Sequence, residues 1–381
     1  FSPPGPPMTA PFPGALTPQV TSFTPPAGSN LVHGLAPDFV NPLVHEGDVT
    51  FEKQLPLNMS FTAAYVFSRA LHLPIYVDAN VAPTTAAKTY DIVNLAGTTQ
   101  SALTLPFYAA GPTARLNPAV GDILTGFSDV NSWYNSMVLT FRKRMSHGVE
   151  FLANYTLSKA IDGGQVAGTN GTFFGTDPPV DPYNRKLEYG TSDLDQRQRF
   201  VGSAVYVPPF RNISNRPTRL LLDGFNFSTI VTIATGQPET LYVNGFPSGG
   251  VDSGLTGGLV TNTGGLVGGR APFLPRNSYT LPNIYNTDLR VSREFRITER
   301  LRLALNGEAF NLFNHTNITQ VGPFATNLNA LGYNYTNAGS GLCAGHANAC
   351  ISPNPAFPSV TQTTSAIYGA RQLQISGRIS F

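Results

Sequence analysis

Cys343 and Cys350 are the only two cysteines of the chain, six residues lie between them, and both fall in a loop-like segment. In an oxidising compartment they could close a local disulfide; in a reducing one they would stand as two free thiols. The six histidines, His33, His45, His72, His147, His315 and His346, form neither an HExxH nor a CxxC…H pattern, so no metal site is expected and they read as solvated loop or rim residues. Asp193 and Asp195, in DLDQRQR, could suggest calcium ligands, but the alternating run and distal Glu of a calcium loop are missing. They read as a polar loop whose carboxylates could pair with Arg197 and Arg199. The glycine-rich stretch GGVDSGLTGGLVTNTGGLVGG, 249–269, lacks the GK[ST] of a phosphate loop and reads as a flexible loop that could help to capture a substrate. No GxSxG element occurs. The expectation is therefore no catalytic residue, no cofactor and no enzyme activity.

The elements that would carry these residues must be strands. Charged residues make up 12% of the chain, half the usual share, while apolar residues stand at an ordinary 41%. That excludes a charged disordered chain. The 37 Gly and 32 Pro argue against helices and for short-looped β-structure. A net charge of +2, with no basic stripe among aromatics, argues against nucleic acid as a partner. No run of 18 apolar residues offers a transmembrane helix, but a membrane β-strand needs only about ten alternating residues. The opening FSPPGPPMTAPFPG has no signal-peptide features, so either the protein is cytoplasmic or earlier residues are missing.

Period-2 alternation predicts nine strands, at about 47–55, 58–69, 133–144, 148–160, 197–207, 223–235, 284–295, 299–312 and 368–381. Trp133, Met137, Leu139 and Phe141 share one face; so do Phe225, Phe227, Val231 and Ile233, against Asn226, Ser228 and Thr232. In the last strand Leu373, Ile375, Gly377, Ile379 and Phe381 alternate with polar residues, giving one face for lipid and one for water. Such strands are long for a soluble domain, where about five or six residues is the mode. The 25 Phe and 15 Tyr could supply aromatic girdles, with Tyr134, Phe200, Tyr206 and Tyr285 near strand ends.

The connections alternate short and long. Residues 56–57, 145–147 and 296–298 are tight and 208–222 intermediate; 70–132, 161–196, 236–283 and 313–367 are long, and the first of these could hold a hairpin around Asp91–Leu95 and Ala102–Tyr108. Outer-membrane barrels sort their loops this way, short on the periplasmic side and long outside. The last strand then runs inward to the periplasm, and residues 1–46 read as a Pro-rich extracellular loop segment ahead of a barrel portion over 47–381. Nine strands is an odd number where single-chain barrels have an even one, which predicts a fragment whose last strand has an unpaired edge.

Five stretches resemble the C-terminal barrel of TonB-dependent outer-membrane receptors, the Oar-like group in particular: NSWYNSMVLTFRKRMSHGVEFLANYTLSKAID (131–162), DLDQRQRFVGSAVYVPPF (193–210), DGFNFSTIVTIATGQP (223–238), NTDLRVSREFRITERLRLALNGEAFNLFNHTNI (286–318) and GARQLQISGRISF (369–381). The resemblance implies an all-β fold, the incomplete C-terminal portion of an antiparallel transmembrane barrel of about 22 strands with long extracellular loops. The N-terminal plug, the TonB box and the carboxypeptidase-regulatory-like domain that the family implies are expected to be absent from this stretch of sequence. The implied role is substrate capture and uptake across the outer membrane. The implied partners are outer-membrane lipid, the barrel-assembly machinery, the TonB complex through the missing N-terminal part, and a small-molecule, peptide or oligosaccharide ligand. Leu373, Ile375, Gly377, Ile379 and Phe381 resemble the C-terminal signal read by the assembly machinery. The alternatives are a surface adhesion or polysaccharide-binding β-protein without transport, and a secreted β-rich enzyme. If the protein were a sandwich, its apolar faces would meet; in a barrel they point outward.

Overall fold

A computed structural model of the chain describes residues 32–109, 115–121, 123–164, 179, 181–210, 214–215, 217–218, 222–245, 250–252, 270–298, 301–319, 332–357 and 368–381. Nine long strands form its main sheet: β1 Leu43–Leu55, β2 Met59–Asp78, β3 Ile123–Ser146, β4 Val149–Asp162, β5 Gln198–Tyr206, β6 Phe225–Ala234, β7 Ile284–Arg296, β8 Arg302–Phe310 and β9 Gln372–Ser380. Each pairs antiparallel with the next in the chain, an uninterrupted meander from β1 to β9. Among the described residues β9 pairs only with β8 and β1 only with β2, so these two strands are the sheet edges.

The turns at one end are tight because the local sequence permits them. His147 and Gly148 both have positive φ, 52° and 75°, which gives the two-residue turn whose twist matches a hairpin. Leu57 and Asn58, at 63° and 60°, close β1 onto β2. The connection 207–224, between β5 and β6, is at this same end and is of intermediate length; the four longest connections leave from the other end.

The register shows how the strands are inclined. Met59, beside the first turn, lies level with Lys143, Phe151, Ala204, Thr229, Leu289 and finally Ala309. Arg302, beside the last tight turn, lies seven residues before Ala309 on β8. Turns that share one membrane surface therefore drop about seven residues over about six strand spacings; at roughly 3.3 Å per residue and 4.8 Å per strand, this is a tilt of about 40°. Membrane barrels tilt their strands by roughly 35–45°.

The wall is inside out relative to a soluble sheet. One row runs Phe51, Ala63, Leu139, Tyr155, Phe200, Ile233, Tyr285, and the row on the other face beside it runs Glu52, Thr62, Thr140, Asn154, Val201, Thr232, Asn286. Met137, Ile233, Leu305 and Ile375 on the apolar face are 40–89% exposed, whereas Ser136, Ser158, Asn286 and Asn306 on the polar face are 4–8% exposed. A sandwich would bury the first set and wet the second. A barrel in lipid does the reverse, with Val138, Leu152, Val201 and Ile230 among the apolar exceptions on the inner face.

All nine predicted strands occur, but two are much longer than the alternation suggested. β2 continues to Asp78 and β3 begins at Ile123. The register slips between Ala70 and Leu73 and again between Leu73 and Ile75, and His72 has φ 58°. Each bulge resets the period of two, so the pattern is lost to a reader of the sequence although the strands continue. The segment expected to be loop through residue 46 is corrected in its described part: β1 begins at Leu43, and Val32–Leu35 adds a short parallel strand to β3 at Ile123–Gly126. The projecting upper ends of β2 and β3 supply the partners for both. No helix among the described residues is long and apolar enough to cross a membrane.

Candidate functional site

The long connections do not trail as loops. They fold together into a second, six-stranded sheet in the order Val243–Asn244, Tyr333–Thr336, Ala349–Pro353, Ala87–Val93, Thr99–Ala109, Gly250–Asp252. The hairpin expected near Asp91–Leu95 and Ala102–Tyr108 is the Ala87–Val93 and Thr99–Ala109 pair. Tyr90, Leu105, Val243, Ala271, Ala349 and Ile351 form a buried cluster here, with Phe273 edge-on to Tyr333 beside it. A second cluster, Ala70, Leu73, Ile75, Val77 and Val130, fills the base where β2 and β3 rise out of the wall. The apolar cores of the described residues thus lie in the outer assembly, because the wall spends its own apolar face on lipid.

Buried charge pairs tie this assembly together across distant segments. Arg270 Nη1 donates to Glu188 Oε2 at 3.0 Å, with both side chains almost fully buried. Arg276 donates to Asp162, at the upper end of β4, and to Asp193 at 3.1 Å. Asn277 also reaches Asp193 and donates to the Thr191 carbonyl at 2.7 Å. Arg115 meets Asp78 at 2.7 Å at the top of β2. Tyr108 donates to Asp181 at 2.9 Å, and burial followed by that carboxylate pushes its phenol well up. Segment 181–196 is thereby clamped at both ends, and it presents Tyr183, Leu187, Tyr189 and Leu194 exposed. Rigid exposed aromatic and aliphatic side chains of this kind are what a ligand-capturing face needs.

His346 lies against the hairpin. Its Nδ1 is 2.8 Å from Asp91 Oδ2 and its Nε2 is 2.9 Å from the Gly97 carbonyl. Two acceptors require both ring nitrogens to be protonated, so these bonds hold its pKa above the ordinary value. Hydrogen bonds from Asn348 and then His346 hold Asp91 below its own. Burial, and secondly Asp193, raise Glu239 to about 7.

The model of the outer membrane beta barrel domain matches residues 2–374. The chain belongs to that family. The barrel sits in a bacterial outer membrane and crosses it with antiparallel strands. Two solved structures are similar in part. One is the ferripyoverdine receptor of the outer membrane of Pseudomonas aeruginosa bound to ferripyoverdine, at 12% identity and TM-score 0.37, covering 73% of this chain and 24% of that one. The other is the FpvAI–pyocin S2 complex, at 12% identity and TM-score 0.40, covering 89% and 26%. The barrel chain spans about a quarter of the length of each. No curated protein matches it.

In the barrel, Cys343 and Cys350 are joined in a disulfide and buried with Val93, Cys350 and Val93 being on adjacent strands of the outer sheet. Leu373, Ile375, Gly377 and Ile379 lie on the outward face of β9, opposite Ala309, Gly307, Leu305 and Leu303, with Phe381 fully exposed just beyond. Asp193 does not pair with Arg197 or Arg199; its partner is Arg276, eighty-three residues away in sequence, while Asp195 accepts from the Ala160 amide and Arg197 donates to the Ser158 carbonyl. Most of the glycine-rich stretch, 253–269, lies outside the described residues. Of the four aromatics expected in girdles, Phe200, Tyr206 and Tyr285 lie on the outward face, whereas Tyr134, level with Ser68 and Ala160, lies on the inner one. Among the described residues no three His, Cys, Asp or Glu side chains gather as a metal site. The residues that build the outer assembly, Glu188, Arg270 and Arg276 above all, carry no local motif; only their types, buried-capable charges in Gly- and Pro-rich loops, hinted at them.

Proposed function

We propose that this chain is the wall and outer-loop portion of an Oar-like, TonB-dependent receptor that captures a small molecule, peptide or oligosaccharide outside the cell and takes part in its uptake. The observation that carries the reading is the union of a mostly polar inner face, with Ser136, Ser158, Asn286 and Asn306 shielded on the strands between the two edges, with a clamped outer assembly at the mouth. The five sequence stretches that resemble the Oar-like group support it further. Adhesion or polysaccharide binding without transport would use the outer assembly but has no need of the inner face. The barrel acts by binding and passage, not by catalysis. Energy would come from the TonB complex through a plug domain, and β9, ending in Phe381, would be read by the barrel-assembly machinery.

The test is uptake in the native membrane. Cells with and without the gene are grown on single siderophore, oligosaccharide or peptide sources. Growth that needs both the gene and a working TonB system supports the reading. Gene-dependent growth that survives loss of TonB overturns it.

A further inference from the structure

A groove of about 540 Å³ opens on the outward face of β1–β3, lined by His45, Tyr65, Phe67, Arg69, Trp133 and Asn135 among others. Its height in the membrane follows from the register. Arg69 lies ten residues above Met59 on β2, and Trp133 pairs with Arg69. Ten residues at roughly 3.3 Å each, tilted by about 40°, rise about 25 Å, which is the height of a barrel's apolar band. The groove therefore straddles the outer edge of the hydrocarbon. Below it, Val49, Phe51 and Tyr65 continue the exposed apolar face.

Its charge is of one sign. His45 pairs with Arg69, and Asn135 pairs with Lys159, so by alternation the three basic residues share the outward face within two adjacent rows. Glu46, the nearest acid in sequence, faces inward and accepts from Ser68 at 3.2 Å. Asp129, further up β3, is already engaged by Arg185 Nε at 2.8 Å. Arg69 lies 5.8 Å over the Trp133 ring, whose other neighbour is Tyr189, edge-on at 5.7 Å. Tyr65 donates to Asn135 at 2.7 Å. Gly47 lets the Phe67 ring fold down onto β1 as part of the floor, since a Cβ there would meet that ring at 2.7 Å.

We propose that this groove is a binding site for the phosphate-bearing headgroup of an outer-leaflet lipid, with Arg69 and Lys159 on the phosphate, Trp133 and Tyr65 at the headgroup boundary, and the acyl chains along Val49, Phe51 and Phe67. Basic side chains reach the headgroup while their stems stay on the apolar wall. The site is lateral, approached from the membrane and not from the mouth, and it meets segment 181–196 at Tyr189.

Trp133 is the single tryptophan of this chain, so it reports on the site directly. The full chain in micelles of an uncharged, phosphate-free maltoside detergent is titrated with diphosphoryl lipid A, and Trp133 fluorescence is followed against the W133F variant as blank. A saturable change is expected, weakened about thirtyfold in Arg69→Gln/Lys159→Gln, as the loss of two basic residues at an anionic surface implies. Glu46→Gln, on the inner face, should leave it unchanged. Heat-modifiable migration of each variant separates loss of binding from loss of fold. An equal response to inorganic phosphate would assign the site to a free anion and overturn the proposal. So would a titration that the double variant, folded, does not weaken.

Discussion

Arg270 and Glu188 form a buried ion pair, 3.0 Å from Nη1 to Oε2, between the connection that follows β6 and the one that follows β4. The pair holds segment 181–196 to the outer assembly. Removing one partner strands the other charge away from water, at a cost of about 3–5 kcal/mol. Arg270→Met should therefore loosen 181–196, read as faster amide exchange and new protease cleavage there, with the wall unaffected. Arg270→Met combined with Glu188→Leu should recover part of the protection. Equal protection in the wild type and in Arg270→Met would show that the pair does not clamp the segment.

Ala63 and Ala64 are neighbours on β2 with opposite surroundings. Ala63 lies in the outward row between Phe51 and Leu139, and Ala64 in the inward row between Thr50 and Val138. Both stand near the middle of the apolar band. Ala63→Arg should cost about 2–4 kcal/mol in lipid vesicles, and Ala64→Arg much less, because only the first puts a charge into hydrocarbon. Urea unfolding midpoints followed by heat-modifiable migration measure the difference. Equal costs would mean that the two faces are assigned wrongly.

Glu239 carries a folded pKa raised to about 7 by burial and by Asp193. Below its ordinary value of 4.5 both folded and unfolded states are neutral and no penalty applies. Between 4.5 and 7 the unfolded state ionises while the folded one keeps its proton, so stability falls as pH rises, and the loss is complete above 7. Its size is about 3 kcal/mol. Amide exchange around Pro238–Glu239 should quicken from pH 5 to pH 8 beyond the intrinsic rate change, and Glu239→Gln should abolish that excess.

Cys343 and Cys350 close a short loop that leads into the Ala349–Pro353 strand of the outer sheet. Loop-closure entropy for a ring of this length is worth about 2.5 kcal/mol. Cys343→Ser/Cys350→Ser should leave the barrel assembled but open the Tyr333–Thr336 and Ala349–Pro353 strands to exchange. Mass spectrometry of the unreduced protein from outer membranes should show two hydrogens missing relative to the reduced chain; free thiols there would remove the basis of this prediction.

The wall was legible in the sequence. Each strand alternates with a period of two, and lipid on one side with water on the other demands just that, so local pattern and global position agree from β1 to β9. The tight turns were legible for the same reason: Leu57–Asn58 and His147–Gly148 lie where the pattern stops for only two or three residues. The disulfide remained one of two alternatives, since spacing alone permits the bond without requiring it. Where bulges at His72 and beyond reset the period, residues 70–78 of β2 and 123–132 of β3, close to half of each strand, vanished into an apparent loop. The tertiary structure alone decided the outer assembly. Its six strands come from connections far apart in the chain, Val243 beside Tyr333 and Ala349 beside Tyr90, and its ion pairs join residues such as Arg276 and Asp162 that are 114 positions apart. Such contacts depend on which loop ends the barrel brings together at its rim. No periodicity within a single segment encodes that.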